Sequence, residues 1–238
     1  MKPERDRQKD AAGKQHWWRF LRNRPELYAA IARLDRCLVT AAVSKYLSFS
    51  FQRSDRIFSH KLFILPLNTF TSFAALQSRG HGAWTWALSS RMKQDLNYSA
   101  TDCFETFPFP TVDPRAIHAG LETIGASLYE ARARYMIDTS QGLTDTYNRL
   151  KDPSDDDPRV RELRALHEQL DRAVLDAYGW SDLPVPPYCP RTQAERAALE
   201  SFEEEIVDRL FLLNATRAAA ERPPTPTSSA SRPRTRRS

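Results

Sequence analysis

Glycine and cysteine are scarce in this sequence, and long apolar runs are missing from it. Its 238 residues include seven glycines, and neither a G-x-G-x-x-G pattern nor a P-loop occurs, so a Gly-rich phosphate site is not expected. The three cysteines (Cys37, Cys103 and Cys189) are an odd number at wide spacing, which predicts reduced thiols rather than disulfides or a zinc ribbon. The five histidines lack metal-ligand spacing. With no membrane span and no signal segment after the charged start, we expect a cytoplasmic protein without membrane contact.

The charges are divided unevenly along the chain. Residues 1–100 carry 17 basic and 7 acidic side chains, a net charge of +10. Residues 101–221 carry 13 basic and 23 acidic side chains, a net charge of −10. Residues 222–238 add five arginines and no acid. The chain is therefore polarised into a basic and an acidic half, and the basic tail raises its isoelectric point.

Hydrophobic spacing predicts β-structure early in the chain and one helix after it. Leu47, Phe49 and Phe51 alternate with serines, which is typical of a half-buried strand. A second strand is predicted over 57–65, in a hairpin with the first, and a helix over 71–88. Residues 91–100 are predicted to be a polar loop. The string at 102–110 (DCFETFPFP) alternates proline with phenylalanine, so it is predicted to be extended and anchored by its aromatic rings.

After Asp113 the apolar spacing becomes helical. A first helix is predicted from a cap at Asp113 and Pro114 through Ile117 to Tyr135. A second is predicted over 160–178, ended by Gly179, and a third over about 192–220. The fold class is α+β, and the predicted segments are a flexible N-terminus (1–15), a small mixed α/β domain (16–112), a mostly α-helical C-terminal region (113–221) and a disordered Arg/Pro-rich tail (222–238).

The residues reveal no catalytic constellation, and two interpretations of the basic half stand about even. In one, its lysines and arginines contact nucleic acid, since phosphate contacts come from such side chains. In the other, the basic face docks onto the acidic half of the same chain. Trp84 and Trp86 are interpreted as core or interface anchors.

Several strings resemble the carboxy-terminal part of a family of DNA adenine methyltransferases. These are the large class I enzymes, dependent on S-adenosylmethionine, of type II restriction-modification and phage-defence systems. The resemblance covers about 17–221. The strings that carry it are PELY (25–28), VSKYLSF (43–49), LQSR (76–79), DCFETFPFP (102–110), GLTDTYN (142–148), LHE (166–168), DRAVLDAYGW (171–180) and LLN (212–214).

The resemblance implies a DNA target recognition domain at 16–112, followed by helices that pack it against a catalytic domain. The family's N-P-P-[FY] motif and cofactor loop do not occur here, so no catalytic residue, metal or cofactor is expected on this chain. Double-stranded DNA and a separate methyltransferase chain that binds S-adenosylmethionine are the implied partners. The residues expected to contact DNA are Ser44, Lys45, Arg53, Arg56, Lys61, Arg79, Arg91 and Lys93. Those expected to dock the recognition domain on its neighbour are Phe104, Phe107, Pro108, Phe109 and Pro110.

A rival hypothesis belongs to another class of protein. In it the chain is an orphaned fragment or a protein-interaction subunit, without DNA binding of its own, whose apolar surface fits a missing catalytic domain. An autonomous enzyme is disfavoured because every motif that such chemistry needs is missing.

Overall fold

A computed structural model describes residues 24–92 and 95–221, together with the isolated positions 3, 6, 7, 14 and 15. For residues 90–92 it describes the backbone alone. The predicted disordered tail and nearly all of the predicted flexible N-terminus therefore lie outside the described residues.

The first described elements are α1 (Pro25–Ile31), β1 (Arg36–Ala41), β2 (Val43–Ser44), β3 (Ser50–Arg53) and β4 (Leu62–Leu65). Three of these strands form the first sheet, in the order β3-β1-β4 with antiparallel pairs. The predicted hairpin of the strands at 47–51 and 57–65 is wrong, because β1 lies between β3 and β4, the strands that form there. Four consecutive residues of β1 are buried, which is typical of a central strand covered on both faces. Because both of its faces are covered, its sequence RCLVTA does not alternate between polar and apolar residues.

A second sheet follows directly from the first. Strand β2 follows β1 after Ala42 and pairs with β6 (Asp95–Asn97), which also pairs with β5 (Ser90–Met92), so the order is β2-β6-β5. The predicted polar loop at 91–100 is thus wrong over this hairpin. The predicted helix at 71–88 is two helices, because Ser78 ends the first and its side chain accepts a hydrogen bond from the His81 amide at the start of the second. These elements are α2 (Phe70–Gln77), α3 (Arg79–Leu88), β5 (Ser90–Met92) and β6 (Asp95–Asn97).

The acidic half is helical, as predicted, with different bounds at its start. The cap of its first helix is His118 rather than Asp113, so Ile117 precedes the helix and is 70% exposed. A short helix that was not predicted lies in the connection 141–158. The second and third predicted helices are confirmed, and Gly179 ends the second with a φ of 78°. The helices are α4 (Ala119–Thr139), α5 (Leu143–Leu150), α6 (Pro158–Tyr178) and α7 (Gln193–Glu221).

One hydrophobic core runs through both halves of the chain. It joins Phe51 and Phe73 of the first half to Leu128 and Leu170 of the second. The mixed α+β class is confirmed, whereas the domain division at 112 stays a prediction. Among the described helices, none is long and apolar enough to cross a membrane.

Candidate nucleic-acid interface

A crossing segment, residues 54–61, carries much of the exposed basic surface. It connects β3 to β4 across one face of the first sheet. It runs from the Arg36 end of β1 to the Ala41 end, and these ends are about 17 Å apart at a rise of ~3.3 Å per residue. Phe58 fastens the segment to the sheet by packing beside a small core of Ile31, Cys37 and Val39. The polar residues on either side are therefore held at fixed places along the strand.

Three of the predicted DNA-contacting residues lie on or beside this segment, and all are exposed. The Arg53 guanidinium forms an ion pair with Asp55, with 2.6 Å between Nη2 and Oδ2, and this pair raises the pKa of Arg53. Arg56 donates a hydrogen bond to the Gln52 side chain at 3.0 Å. The Lys61 ammonium has no hydrogen bond or ion pair within the described ranges. Of these three cations, Lys61 is therefore the one whose charged group has no partner among the described residues.

Ser44 and Lys45 lie at the β2 end of the second sheet. The Lys45 ammonium is 2.8 Å from Asn148 Oδ1, and the Tyr46 hydroxyl donates to the same oxygen at 3.1 Å. The Ser44 hydroxyl donates to the Tyr46 carbonyl at 2.9 Å. The bond to a neutral amide leaves the charge of Lys45 unneutralised.

Two predicted residues fall in or next to a gap in the description. Lys93 lies outside the described residues, and for Arg91 the backbone alone is described. The register pairs Arg91 with Leu96, and Leu96 with Ser44. Arg91 therefore shares a row of the second sheet with Ser44.

The structure places Arg79 in the interior, not on the surface that DNA contact requires. Arg79 is 8% exposed, and its Nε lies 2.5 Å from Asp171 Oδ2. Two other guanidinium nitrogens donate to the carbonyls of Pro186 and Pro187, at 2.8 and 3.2 Å. Arg79 thus joins α3 to α6 and to the proline-rich stretch at 183–190, and each of its three guanidinium nitrogens donates a hydrogen bond.

The Phe-Pro segment lies between α3 and the C-terminal helices. Its first part is a π-helical turn (Ala100–Phe104), which corrects the prediction of a fully extended segment. The Phe107 ring is 4.5 Å from the His81 ring, between ring centroids, and Phe109 packs on Phe107 at 5.0 Å.

Hydrogen bonds add to this packing. The Pro108 carbonyl accepts a bond from the Tyr178 hydroxyl at 2.9 Å, and the Phe109 carbonyl accepts one from Arg217 at 2.7 Å. Phe104 is half-buried, 5.8 Å from the Phe109 ring, and Pro110 ends the segment half-buried. These contacts are made within the chain, and docking onto a separate domain stays a prediction.

A groove of about 280 Å³ beside Lys45 also contains Lys151, which the sequence did not single out. Trp86, 40% exposed, lies on one wall, while Trp84 is fully buried. Much of Lys151 is exposed, but its Nζ lies 3.8 Å from the centroid of the Tyr188 ring, and desolvation there lowers its pKa to about 8. The groove brings Lys45 and Lys151, 106 positions apart in the sequence, to one surface.

Within the described residues, the acidic half forms no ion pair with the exposed cations of the basic half. Arg79–Asp171 is the one ion pair among the described residues that joins the halves. Acidic residues of the second half pair with its own arginines, as Asp155 does with Arg149 at 2.6 Å. The described residues contain no group of three or more metal-ligating side chains.

Comparisons with known proteins give this geometry a context. Residues 4–111 match the family model of the MmeI target recognition domain. DNA methyltransferase A of Bacillus subtilis (strain 168) is 29% identical over 133 residues, which cover 56% of this chain and 14% of that protein. The structure of the Type IIL restriction-modification enzyme MmeI in complex with DNA aligns at 20% identity and a TM-score of 0.49, over 78% of this chain and 22% of that one. The chain thus matches less than a quarter of the length of either protein.

Proposed function

We propose that this chain, whose residues 4–111 match the family model of the MmeI target recognition domain, is the DNA sequence-recognition module of a restriction-modification adenine methyltransferase. It acts with a separate catalytic domain or chain, which binds S-adenosylmethionine and carries out methyl transfer. Double-stranded DNA is its ligand.

The observation that carries the proposal is the set of exposed cations that the acidic half does not neutralise. Lys45 bonds to a neutral amide and Lys61 to no described side chain, whereas an internal dock would place carboxylates against them. Exposed lysines on a sheet are suited to phosphate contacts, and the bound counterions that DNA then releases make such binding sensitive to salt.

The test is the affinity of the full chain for random duplex DNA across a salt series. Each phosphate contact contributes roughly 0.9 to the slope of log affinity against log salt. We expect Lys45→Ala with Lys61→Ala to weaken binding at low salt and to reduce the slope by about 2. Fluorescence anisotropy with a labelled duplex measures both quantities.

The matched control removes two positive charges from the helical half. Arg161 and Arg196 are exposed, and Arg161→Ala with Arg196→Ala changes the net charge equally. The proposal requires this control to retain the wild-type slope. Equal losses in the two double variants would mean that the overall charge, not a defined surface, attracts DNA.

The proposal assigns no cofactor to this chain. The family's N-P-P-[FY] methyltransferase motif is missing from the sequence. Titration calorimetry of the chain with S-adenosylmethionine should therefore give no binding heat, whereas a saturable signal would place the cofactor here.

A second candidate function, a protein-interaction subunit without DNA binding, is favoured by apolar residues on α7. Phe211 is 45% exposed and Leu212 is 70% exposed, and exposed apolar neighbours of this kind are typical of protein contacts. A folded chain that binds no duplex even at low salt would select this function over DNA recognition.

A further inference from the structure

The groove beside Lys45 is shared by the two halves of the chain. The basic half contributes Lys45 and residues of helix α3, and the acidic half contributes Lys151 and Tyr188. The match to the recognition-domain family ends at residue 111, so Lys151 lies outside the matched part. A ligand in this groove would therefore contact both halves.

Lys151 brings to the groove a cation without a counter-charge. Its ammonium lies over the Tyr188 ring and donates a hydrogen bond to the Tyr188 carbonyl at 3.3 Å. Within the described ranges it forms no ion pair, and the nearby Asp171 is already paired with Arg79. A cation withdrawn from water without an anion costs free energy, so an anion in the groove would stabilise the folded chain.

The other charged groups around Lys151 do not supply this anion. Arg79 of α3 adds positive charge, and burial raises the pKa of Glu203 on α7, which favours the uncharged form of that carboxyl. Desolvation lowers the pKa of Lys151 to about 8, so most Lys151 side chains still carry their charge at pH 7. At neutral pH the groove therefore presents positive charge to a ligand.

Lys45 stands on the same side of helix α5 as Lys151. Its ammonium bonds to Asn148 Oδ1, and Asn148 lies three positions before Lys151, the residue that caps the C-terminal end of α5. Residues three apart on a helix are neighbours on its surface. Two cations from distant parts of the sequence are thus brought to one groove, and the hydrogen-bond acceptors of both are neutral oxygens.

Helix α3 leaves its wall of the groove open. Gly82 lines the groove, and a Cβ at this position would meet no atom within 4 Å. Trp86, about one helical turn farther along α3, lines the groove as well and is 40% exposed. An open and partly apolar wall next to two cations suits the alternating sugars and phosphates of a nucleic-acid strand.

We infer that this groove binds the sugar-phosphate backbone of duplex DNA, and that Lys151 contacts a phosphate next to the one at Lys45. Lysine side chains supply contacts of this kind, and Lys45 already belongs to the exposed cations of the basic half. The inference rests on the proposed function and extends its DNA interface from the sheets to the end of helix α5.

The first test removes the charge of Lys151 from the full chain. Lys151→Gln should reduce the slope of log affinity against log salt by about 0.9 and weaken binding to unrelated duplexes alike. Arg161→Gln removes the same charge from an exposed site outside the groove and should retain the wild-type slope. Fluorescence anisotropy with a labelled random duplex measures both slopes, and the Tm of each variant shows whether it is folded.

The second test leaves Lys151 in place and changes the wall formed by α3. Gly82→Glu and Gly82→Gln add side chains of equal size to the open space, and the first also adds a negative charge. With a phosphate in the groove, Gly82→Glu should bind the duplex about 5-fold more weakly than Gly82→Gln at low salt, and high salt should remove the difference. Thr123→Glu and Thr123→Gln, at an exposed position of α4, should bind alike.

The outcomes separate the groove from the proposed function. The groove contact is overturned, and DNA recognition left standing, by a wild-type slope for folded Lys151→Gln, by an equal loss of slope for Arg161→Gln, or by equal affinities of Gly82→Glu and Gly82→Gln. If Lys151→Gln does not fold, the Gly82 pair decides. A folded wild-type chain that binds no duplex at low salt overturns the proposed function, and the groove contact falls with it.

Discussion

The loss of the ion pair between Arg79 and Asp171 is expected to lower the free energy of unfolding more than the loss of an ion pair on the surface. Both side chains are almost fully buried, at 7% and 3% exposure. Removing the carboxylate by Asp171→Ala leaves a buried cation that keeps two carbonyl acceptors and loses its counter-charge. We expect the free energy of unfolding to fall by about 3–5 kcal/mol, measured by urea denaturation.

Arg53 and Asp55 provide the matched comparison. They form an ion pair of similar length, but their side chains are 72% and 60% exposed. Water and salt screen such a pair, so Asp55→Ala should change the stability far less than Asp171→Ala. Similar losses for the two variants would contradict the assignment of Arg79 to an internal structural role.

Local sequence could not separate these two arginines. Arg79 follows Gln77 and Ser78, polar neighbours like those of Arg53, and its partner lies 92 positions away. The amide that Lys45 contacts is 103 positions away. Exposed basic residues beside the sheet could be identified from charge and strand pattern alone, whereas burial depends on contacts between distant elements.

The approach of α4 to α2 depends on one residue without a side chain. A Cβ on Gly125 would lie 2.5 Å from the Phe70 carbonyl oxygen, which is backbone and cannot rotate away. Gly125→Ala should force the two helices apart and lower the free energy of unfolding by about 1–3 kcal/mol, despite the better helix propensity of alanine. Thermal or urea unfolding of the variant measures this effect.

Gly120, on the same helix, gives the opposite expectation. A Cβ there would meet the His118 ring at 3.5 Å, an ordinary contact. Gly120→Ala should therefore leave the stability unchanged or raise it by up to about 1 kcal/mol. A loss of stability at Gly120 as large as that at Gly125 would show that helix α4 itself, rather than its contact with α2, is sensitive to these changes.

The elements that sequence predicted well are those whose pattern is long and one-sided. Helices α6 and α7 have 21 and 29 residues, enough turns to establish a 3.6-residue period. The 8-residue helix α5 gives too few turns, and its sequence LTDTYNRL is largely polar. Strand β1 was obscured for another reason, since a strand buried on both faces has no alternation to detect.

Two buried histidines report on the shared core. His81 is fully buried on α3, where its Nε2 lies 3.1 Å from the Tyr98 hydroxyl, and desolvation lowers its pKa to about 3. His167 on α6 stacks on Tyr188 at 4.3 Å between centroids. Burial, together with the positive charges of Arg132, Lys151 and Arg79, holds its pKa well below the usual range. Both imidazoles are therefore neutral in the folded chain.

This neutrality makes the stability of the whole molecule depend on pH in a defined direction. The unfolded histidines bind protons below about pH 6.5 and the folded ones do not, so the unfolded state gains protons and stability is lost as the pH falls. Between pH 7 and pH 5 we expect the free energy of unfolding to decrease by about 2 kcal/mol for each histidine. Urea denaturation at half-unit pH steps measures the decrease.

The interval from pH 7 to pH 5 separates the histidines from the carboxylates whose pKa values are lowered, whereas burial raises the pKa of Glu203. The pKa values of Asp155 and Asp157 are lowered by hydrogen bonds from Arg149 and from the Arg159 backbone, so these groups lose their stabilising charge at more acidic pH. The NMR signals of the two histidine rings should remain those of neutral imidazole at pH 5 in the folded protein. A flat stability profile, or protonated rings in a folded sample, would mean that the core around α3 and α6 admits water. In that case the two halves of the chain would not share one water-free hydrophobic core.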